Sequence, residues 1–266
     1  MDWNSEILQK SLAGKFFGHK LYYYPETGST NDEACSLGIA GAPQGTVVIA
    51  NAQNKGKGRM RRLWHSPANC NIYTSVILRP QMELPKTSWI PLTAGVAVAE
   101  VLDIYSPGKF KLKWPNDVLI GGKKVCGILT QMETSGDAID FAVLGIGINV
   151  NMSREQFPRD IQEIATSLAI ETGHEISRLE LIISLYENLE KCYKKLMQKG
   201  FAPIREKWLK RSAMIGQTVQ VIFKNETIEG EATGLDDNGS LILIAEGNKE
   251  IKVLAGDAMI LKQARE

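Results

Sequence analysis

A short segment of the chain, residues 55–62, combines glycine with a high density of positive charge. Five of its eight residues are basic, and Gly56 and Gly58 stand between positive side chains. Glycines let backbone N–H groups approach phosphate or carboxylate oxygens closely, and neighbouring cations offset the charge that collects there. The segment predicts an anion-binding loop, although a solvated loop or a nucleic-acid-binding patch explains it equally well when it is taken alone.

A second polar group lies in residues 113–117, with the sequence Lys-Trp-Pro-Asn-Asp. Pro115 is expected to end a strand and to leave Asn116 and the following aspartate at a turn. A Gly-Gly hairpin comes next, after which Lys124 enters a strand with Gly127 three positions on. A lysine on an apolar strand face needs an anionic partner, because an unpaired buried ammonium is very costly. A lysine that reaches solvent along the hairpin edge is the alternative, and it is the commoner one.

A third pattern alternates glycine with isoleucine from Gly145 to Asn149. Successive side chains of a strand point to opposite faces, so Gly145, Gly147 and Asn149 are expected to share one face. The missing side chains would leave room there for a ligand, or for a closely packed helix. The pattern is not the dinucleotide-binding G-x-G-x-x-G motif, and no GxxxxGK[ST] phosphate loop occurs in the chain.

The elements that must position these residues are mostly strands. Short apolar or alternating runs predict strands at residues 21–24, 46–51, 71–78, 111–114, 118–120, 125–132 and 142–150. Helices are predicted at 32–37, opened by a Thr30–Glu33 capping box, within 89–105 and at 178–211. Because strands outnumber helices without regular alternation, we expect an α+β domain on a mixed or mostly antiparallel sheet.

The character of the chain changes after residue 211. Short predicted strands at 218–223, 227–233, 240–245 and 249–254 are joined by turns, one of which contains Asp-Asn-Gly at 237–239. This pattern is typical of a small β-barrel. We therefore expect two domains, at residues 1–212 and 213–266.

The composition excludes several classes of protein. The 266 residues, of which 44% are hydrophobic, suit one mid-sized catalytic domain and a small module. Lys and Arg number 31 against 30 Asp and Glu, which argues against a general nucleic-acid binder or a polybasic membrane protein. The four cysteines form no CxxC pair, and no apolar run predicts a membrane span. We expect a cytoplasmic protein without a protein-bound metal site.

These motifs, in this order and spacing, resemble the biotin protein ligases. The segments that carry the resemblance are Gly28-Ser-Thr-Asn31, Gln53-Asn-Lys-Gly-Lys-Gly-Arg59 with Trp64, Lys113-Trp-Pro-Asn-Asp117, Lys124-Val-Cys-Gly127 and Gly145-Ile-Gly-Ile-Asn149. The resemblance implies a catalytic domain similar to class II aminoacyl-tRNA synthetases and a C-terminal SH3-like barrel. It also implies the reaction: biotin and ATP, with Mg²⁺, give biotinyl-5′-AMP, and a lysine of a biotin carboxyl carrier protein then takes the biotin.

The resemblance further implies a role for each residue of these motifs. The biotin-binding set would be Ser29, Thr30, Asn31, Gln53, Gly56, Lys57, Gly58, Arg59, Lys124 and Gly127, of which the first four would meet the ureido ring. The nucleotide-binding set would be Arg59, Arg61, Arg62, Trp64, Asn116, Lys124 and Asn149. Lys57, Arg59 and Lys124 would be catalytic, because they offset the charge of a carboxylate brought against a phosphate.

Residues 56–62, here called the glycine loop, have the sequence Gly-Lys-Gly-Arg-Met-Arg-Arg. The usual family pattern is Gly-Arg-Gly-Arg-Arg-Gly-Arg. Lys57 keeps a charge but loses the planar fork of arginine, Met60 removes a cation, and Arg61 replaces a glycine. These changes affect the flexibility of the loop and its retention of the adenylate. We still expect an active enzyme.

Further expectations concern partners and alternative functions. Only about twenty residues precede the first predicted strand, too few for the helix-turn-helix domain of some family members, so no DNA binding is expected. A homodimer is an expectation from the family alone. A lipoate protein ligase is the nearest alternative function, and a nucleic-acid-binding module is a more distant one.

Overall fold

The computed structural model describes residues 5–223 and 226–261. Its described helices are α1 (Ser5–Leu12), α2 (Thr30–Ile39), α3 (Trp89–Leu102), α4 (Leu168–Thr172), α5 (Arg178–Lys199) and α6 (Ala202–Arg211). The strands of the first sheet are β1 (Leu21–Tyr24), β2 (Val47–Ala50), β3 (Ile72–Leu78), β4 (Lys111–Lys113), β5 (Asp117–Ile120), β6 (Lys123–Ser135) and β7 (Ala138–Ile148). The strands of the second are β8 (Thr218–Phe223), β9 (Glu226–Leu235), β10 (Leu241–Ala245), β11 (Lys249–Val253) and β12 (Asp257–Ile260).

The first sheet is mixed, as the sequence predicts. Its strand order is β1-β2-β3-β7-β6-β5-β4; β1 pairs with β2 in parallel, and the remaining neighbours are antiparallel. The long β6–β7 hairpin pairs Gly127 with Gly147. Two glycines therefore lie side by side on adjacent central strands.

Helices cover both faces of this sheet. On one face α3 packs against α5 and α6 and contributes a nearly continuous run of buried small and aliphatic side chains. On the other face α2 packs against β2, β3 and β7. Neighbours along β2 divide between these layers, since Val47 and Ile49 join the α3 core whereas Val48 joins Ala34 of α2. Every residue of β2 and β3 is buried, and burial on both faces explains why β2 is apolar without interruption.

The capping box predicted at the start of α2 is wrong. Ser29, in an extended conformation, precedes the helix, and Thr30 is its first residue. The hydroxyl of Thr30 lies 3.1 Å from Gln53 Oε1, and Glu33 accepts a hydrogen bond from Thr27 Oγ1 (2.6 Å). The two side chains that fit the capping motif are therefore used by tertiary contacts.

Two other elements differ from the predictions. The helical segment at 178–211 is two helices, α5 and α6, separated at Gly200, whose φ of 69° is left-handed. The second sheet, in the order β11-β10-β9-β8-β12, contains the four predicted C-terminal strands and a further strand, β12. That strand has only four residues and follows Gly256, so its run of alternating residues is too short to predict a strand from the sequence.

The second sheet packs against the first domain. Trp114 Nε1 donates to the carbonyl of Gly239 (3.1 Å), and Trp89 Nε1 donates to that of Asp237 (2.9 Å), both in the β9–β10 turn. The chain passes between the sheets after α6, and β8 starts at Thr218. A boundary at 212–213 remains our proposal; the ends of the two proposed domains, 1–4 and 262–266, lie outside the described residues. Across the described chain, no helix has the length and hydropathy that a membrane span requires.

Candidate active site

A cavity of about 900 Å³ lies over the centre of the first sheet. It is lined by most of the residues that the sequence singles out: Ser29, Thr30, Asn31, Gln53, Lys57, Gly58, Arg59, Arg62, Trp64, Asn116, Lys124, Gly127, Gly145, Gly147 and Asn149. Gly56 and Arg61 instead line an adjoining groove of about 550 Å³ along the same loop. The fold thus brings together side chains that are far apart in the sequence, in a volume suited to a small ligand.

One end of the cavity is a preorganised polar network. Gln53 Oε1 accepts from the backbone N–H and the hydroxyl of Thr30, at 2.8 and 3.1 Å. Gln53 Nε2 in turn donates to Ser66 Oγ (2.9 Å), whose own proton goes to the carbonyl of Trp64 (2.8 Å). Because each group is held by a neighbour, these donors and acceptors keep fixed directions toward a ligand.

Asn31 extends this network across the sheet. Its Nδ2 donates to Gln131 Oε1 (2.7 Å), and its Oδ1 lies 2.6 Å from the hydroxyl of Ser75. Ser75 Oγ is also 2.8 Å from Thr30 Oγ1. A Cβ on Gly145 would collide with the Asn31 amide, so the missing side chain lets this amide sit on the sheet.

The centre of the cavity has a floor made of two glycines. A Cβ on Gly127 would lie 2.8 Å from Trp64 Cζ3, and one on Gly147 would lie 2.5 Å from Trp64 Nε1. Both are too close for real contacts, so the flat indole rests on the sheet only because both positions are glycine. Within the described residues Trp64 Nε1 is buried without a hydrogen-bond partner, which leaves it available to a ligand.

Lys124 lies beside this floor, and the structure pairs it with the carboxylate of Asp117, a partner that was not predicted from the sequence. The Nζ–Oδ1 distance is 2.6 Å, and Nζ is 5.4 Å from the centre of the Trp64 ring. The backbone of Lys124 is fixed on both sides, since its N–H donates to the carbonyl of Ile164 (2.8 Å) and its carbonyl accepts from Thr166 (2.9 Å). The ammonium is therefore positioned beside the glycine floor, where it can meet an anion.

The glycine loop is a hairpin that folds over the cavity. Lys57 pairs with Leu63, and Gly58 N–H donates to the carbonyl of Arg62 (2.7 Å). Lys57 forms an ion pair with Asp32 of α2. Gly56 must remain a glycine, because a Cβ there would meet the Trp64 carbonyl and Ser66 Oγ. The hairpin thereby carries its cations to the mouth of the site.

Arg59 points inward from this hairpin. Its Nη1 donates to Asn116 Oδ1 (3.4 Å) and to the carbonyl of Gly256 in the second sheet (3.1 Å). Burial lowers the pKa of Arg59, against the opposing influence of Asp257 and Asp117. Arginine nevertheless stays charged at neutral pH, and the partly desolvated guanidinium can bind an anion strongly.

The remaining predicted residues stand at the far side of the cavity. Asn116 Nδ2 donates to the carbonyl of Ile128 (2.7 Å), and Asn149 Nδ2 donates to that of Thr166 (3.0 Å). Several lining residues were not predicted: Tyr73, Thr74, Asp117, Met152, Phe157, Asp160, Ile161, Ala165, Asp257, Met259 and Ile260. Asp117 ends the Lys-Trp-Pro-Asn-Asp motif, so the sequence could have identified it as a site residue. The apolar residues of 152–165 and the β12 residues carry no local signal.

The arrangement can hold a ligand with a polar ring at one end and bring its charged end to a cluster of cations. The network around Gln53 serves the first purpose, and Lys57, Arg59, Arg62 and Lys124 serve the second. Such a cluster can bring two anions together, because it offsets the repulsion between them.

Comparison with known proteins agrees with this geometry. Residues 24–149 match the "Biotin/lipoate A/B protein ligase family", and residues 214–260 match the "Biotin protein ligase C terminal domain". The "Bifunctional ligase/repressor BirA" of Bacillus subtilis (strain 168) is 39% identical over 241 residues, which are 91% of this chain and 74% of that protein. The "Biotin--[acetyl-CoA-carboxylase] ligase" of Paracoccus denitrificans is 33% identical over 232 residues, 85% of this chain and 94% of that protein.

A solved structure shows the same fold. The biotin protein ligase from Aquifex aeolicus in complex with biotin and ATP superposes with a TM-score of 0.79 at 30% identity, covering 91% of this chain and 99% of that one. The match confirms the α+β fold predicted from the sequence. Motifs, fold and relatives agree, and the chain belongs to the biotin protein ligase family.

Proposed function

We propose that the chain is an ATP-dependent ligase that attaches biotin to a lysine of a carrier protein. In the first step a carboxylate oxygen of biotin attacks the α-phosphorus of ATP, the bond to the β-phosphate breaks, and biotinyl-5′-AMP and pyrophosphate form. In the second step the acceptor amine attacks the carbonyl carbon of the anhydride, AMP leaves, and an amide results.

The polar network is suited to the ureido ring of biotin. A buried ureido group requires partners for its carbonyl and its N–H groups. Ser29, Thr30, Asn31 and Gln53 provide such partners where they line the cavity. The dithiolane of lipoate has no carbonyl or N–H group to match this polar wall, so the network favours biotin over the lipoate alternative.

The cations act where the two substrates meet. Lys57 and Arg59 would hold the biotin carboxylate and the α-phosphate together, while Lys124 would offset charge as the carboxylate attacks. Gly58 lines this region, and Gly127 provides part of the flat floor on which the Trp64 indole rests. Gly56 would act by shaping the hairpin and Arg61 from the adjoining groove, so we place both at the edge of the site.

The nucleotide would lie at the opposite end. Trp64 offers an indole face for adenine, Asn116 and Asn149 offer polar atoms, and Met152 and Phe157 supply an apolar wall. Arg62 forms an ion pair with Asp257 of the second sheet and would meet the outer phosphates. These assignments rest on position in the cavity and on the family motifs.

Mg²⁺ would enter with ATP and offset phosphate charge. In the described parts of the chain, no three or more His, Cys, Asp or Glu side chains group to hold a metal ion. Asp117 nevertheless supplies a carboxylate beside Asn116 in the cavity. One carboxylate is sufficient for a Mg²⁺ that keeps waters and binds substrate phosphates, so the residues fit an ion carried by the nucleotide, with Asp117 as its protein ligand.

The expected acceptor is a biotin carboxyl carrier protein or domain of a biotin-dependent carboxylase, in line with the name of the Paracoccus relative. A cytoplasmic location, a homodimer and a lack of DNA binding stay predictions from the sequence. So does the SH3-like character of the second sheet. The nucleic-acid alternative is not favoured, because the basic segment folds over a cavity.

The single observation that carries the proposal is the cavity that joins the Gln53 network to the Lys57, Arg59 and Lys124 cations. The test is to mix the purified chain with MgATP, a carrier domain and either labelled biotin or labelled lipoate. We expect label from biotin on one lysine, and none when that lysine is changed to arginine. Transfer from lipoate alone would eliminate the biotin assignment.

A further inference from the structure

Gly256, just before β12, and Asp257, its first residue, contact two arginines of the glycine loop. The carbonyl of Gly256 accepts from Arg59 Nη1 (3.1 Å), and the Asp257 carboxylate forms an ion pair with Arg62 Nη2. Asp257 also lines the central cavity with Met259 and Ile260. The C-terminal sheet therefore forms part of the wall that faces the loop.

The position of this contact is fixed by the backbone. Gly256 has φ of 147°, and a Cβ on it would lie 2.5 Å from Val221 Cγ1. The next residues pair with β8 in register, with Asp257 opposite Ile222. The carboxylate that holds Arg62 is therefore built into a sheet, and the carbonyl that holds Arg59 belongs to the residue immediately before that strand.

Arg62 needs such support because its side chain is mostly exposed to solvent. The Arg62 side chain is 66% exposed, whereas that of Asp257 is 29% exposed. An arginine loses rotamer freedom when it binds an anion, and a partner that already restricts it reduces that loss. A rigid carboxylate beside the cavity can provide this restriction.

We propose that Asp257 is a positioning residue for adenylation: it holds Arg62, beside the Gly256 carbonyl that holds Arg59, so that the C-terminal sheet presents both guanidinium groups to the phosphates of the nucleotide. The inference rests on the proposed function and assigns to the second sheet a part in binding ATP. The direction of the effect is diagnostic. A carboxylate that acted only by its charge would repel the triphosphate, so its removal would strengthen ATP binding.

The first test is Asp257→Asn, which keeps the shape of the side chain and removes its charge. We expect the KM for ATP to rise about fivefold, on the scale of a partly exposed ion pair. The affinity for biotin without nucleotide and the melting temperature should stay unchanged. Asp257→Glu should restore most of the loss. Glu250→Gln on β11, whose carboxylate is 3.9 Å from Lys252, is the matched control on the same sheet and should leave all values unchanged.

The second test asks whether Asp257 acts through Arg62. In an Arg62→Gln background, Asp257→Asn should have little further effect, because the partner is already absent. A lower or unchanged KM for ATP in Asp257→Asn would overturn the proposal, as would an equal rise in both backgrounds. If the unaltered chain forms no biotinyl-adenylate, the proposed function fails instead, so the two failures are distinguishable.

Discussion

At the residue scale, three cations of the site are each held by a carboxylate. Asp32 pairs with Lys57, Asp117 with Lys124, and Asp257 with Arg62. Each carboxylate fixes the orientation of its partner, and the cation remains partly solvated. An incoming carboxylate or phosphate must then compete with a neighbour, which favours ligands that bring more than one negative charge.

Lys124 provides the sharpest test at this scale. Lys124→Met should slow adenylate formation by about a hundredfold or more, the scale of losing one preorganised electrostatic group, while biotin binding without nucleotide changes less. Single-turnover kinetics with labelled biotin measures the rate. Lys123→Met, one position earlier on β6, is the matched control and should react at the normal rate. Equal rates for the two variants would remove Lys124 from the mechanism.

The sequence identified the polar and basic residues of the site but not their partners. Lys57, Arg59 and Lys124 stand in motifs with glycines, which is a local signal. Asp257 is an isolated carboxylate in a short strand, and only the packing of the second sheet brings it to the loop. A pairing between distant segments has no signature in one sequence, so it could not be predicted.

At the element scale, the glycine loop ends in an unfavourable turn. Arg62 N–H donates to the carbonyl of Arg59 (3.1 Å), and the central residues Met60 and Arg61 have φ of 52° and 61°. Two positive φ values define a type I′ turn, which favours Asn-Gly. A left-handed conformation costs a non-glycine residue about 1–2 kcal/mol. The family pattern has glycine at the position of Arg61, so this chain carries strain that the pattern avoids.

We therefore predict that Arg61→Gly gives a more stable hairpin than Arg61→Ala. Both variants lose the same guanidinium, and only the glycine removes the Cβ from the left-handed position. The difference should be about 1 kcal/mol, or about fivefold in the rate of proteolysis within residues 55–63. Limited proteolysis of the two variants side by side measures it. Faster cleavage of the glycine variant would show that the turn is not strained.

The elements themselves were largely predictable because their apolar periodicity is strong. The predicted strands of the first sheet all occur, with ends that differ by a few residues, and α3 follows the helical spacing of its apolar residues. Thr30 and Glu33 show the limit of such patterns. They match a capping motif, but their side chains bond elsewhere. Thr30 bonds to Gln53, 23 residues along the chain, and Glu33 bonds to Thr27, 6 residues before it.

At the scale of the whole molecule, one carboxylate joins three helices, α3, α5 and α6, that pack together on one side of the sheet. Glu100 of α3 accepts from Asn188 of α5 (3.1 Å) and Lys207 of α6 (2.6 Å). Burial acts to raise the pKa of Glu100, but the hydrogen bonds from Lys207 and Asn188 and nearby positive charge outweigh it, so that the pKa is lowered. A lowered pKa means that the folded state favours the ionised form.

The ionised form stabilises the fold above the pKa of the unfolded state, and this contribution is lost as the pH falls through the lowered pKa. Glu100→Gln should therefore reduce the free energy of unfolding by about 1 kcal/mol at neutral pH, and the difference should vanish in acid. Urea unfolding at both pH values measures this. Glu187→Gln, which alters an exposed pair with Lys15, is the control and should have little effect. A difference that persists in acid would contradict the account.

The central claim is that the cavity places the biotin carboxylate against the α-phosphate of ATP, while polar groups at the other end bind the ureido ring. Exchange of labelled pyrophosphate into ATP reports that step without an acceptor protein. The account predicts exchange with biotin present, and none with lipoate or with the methyl ester of biotin, which lacks the free carboxylate. No exchange with biotin, or equal exchange with the ester, would contradict it.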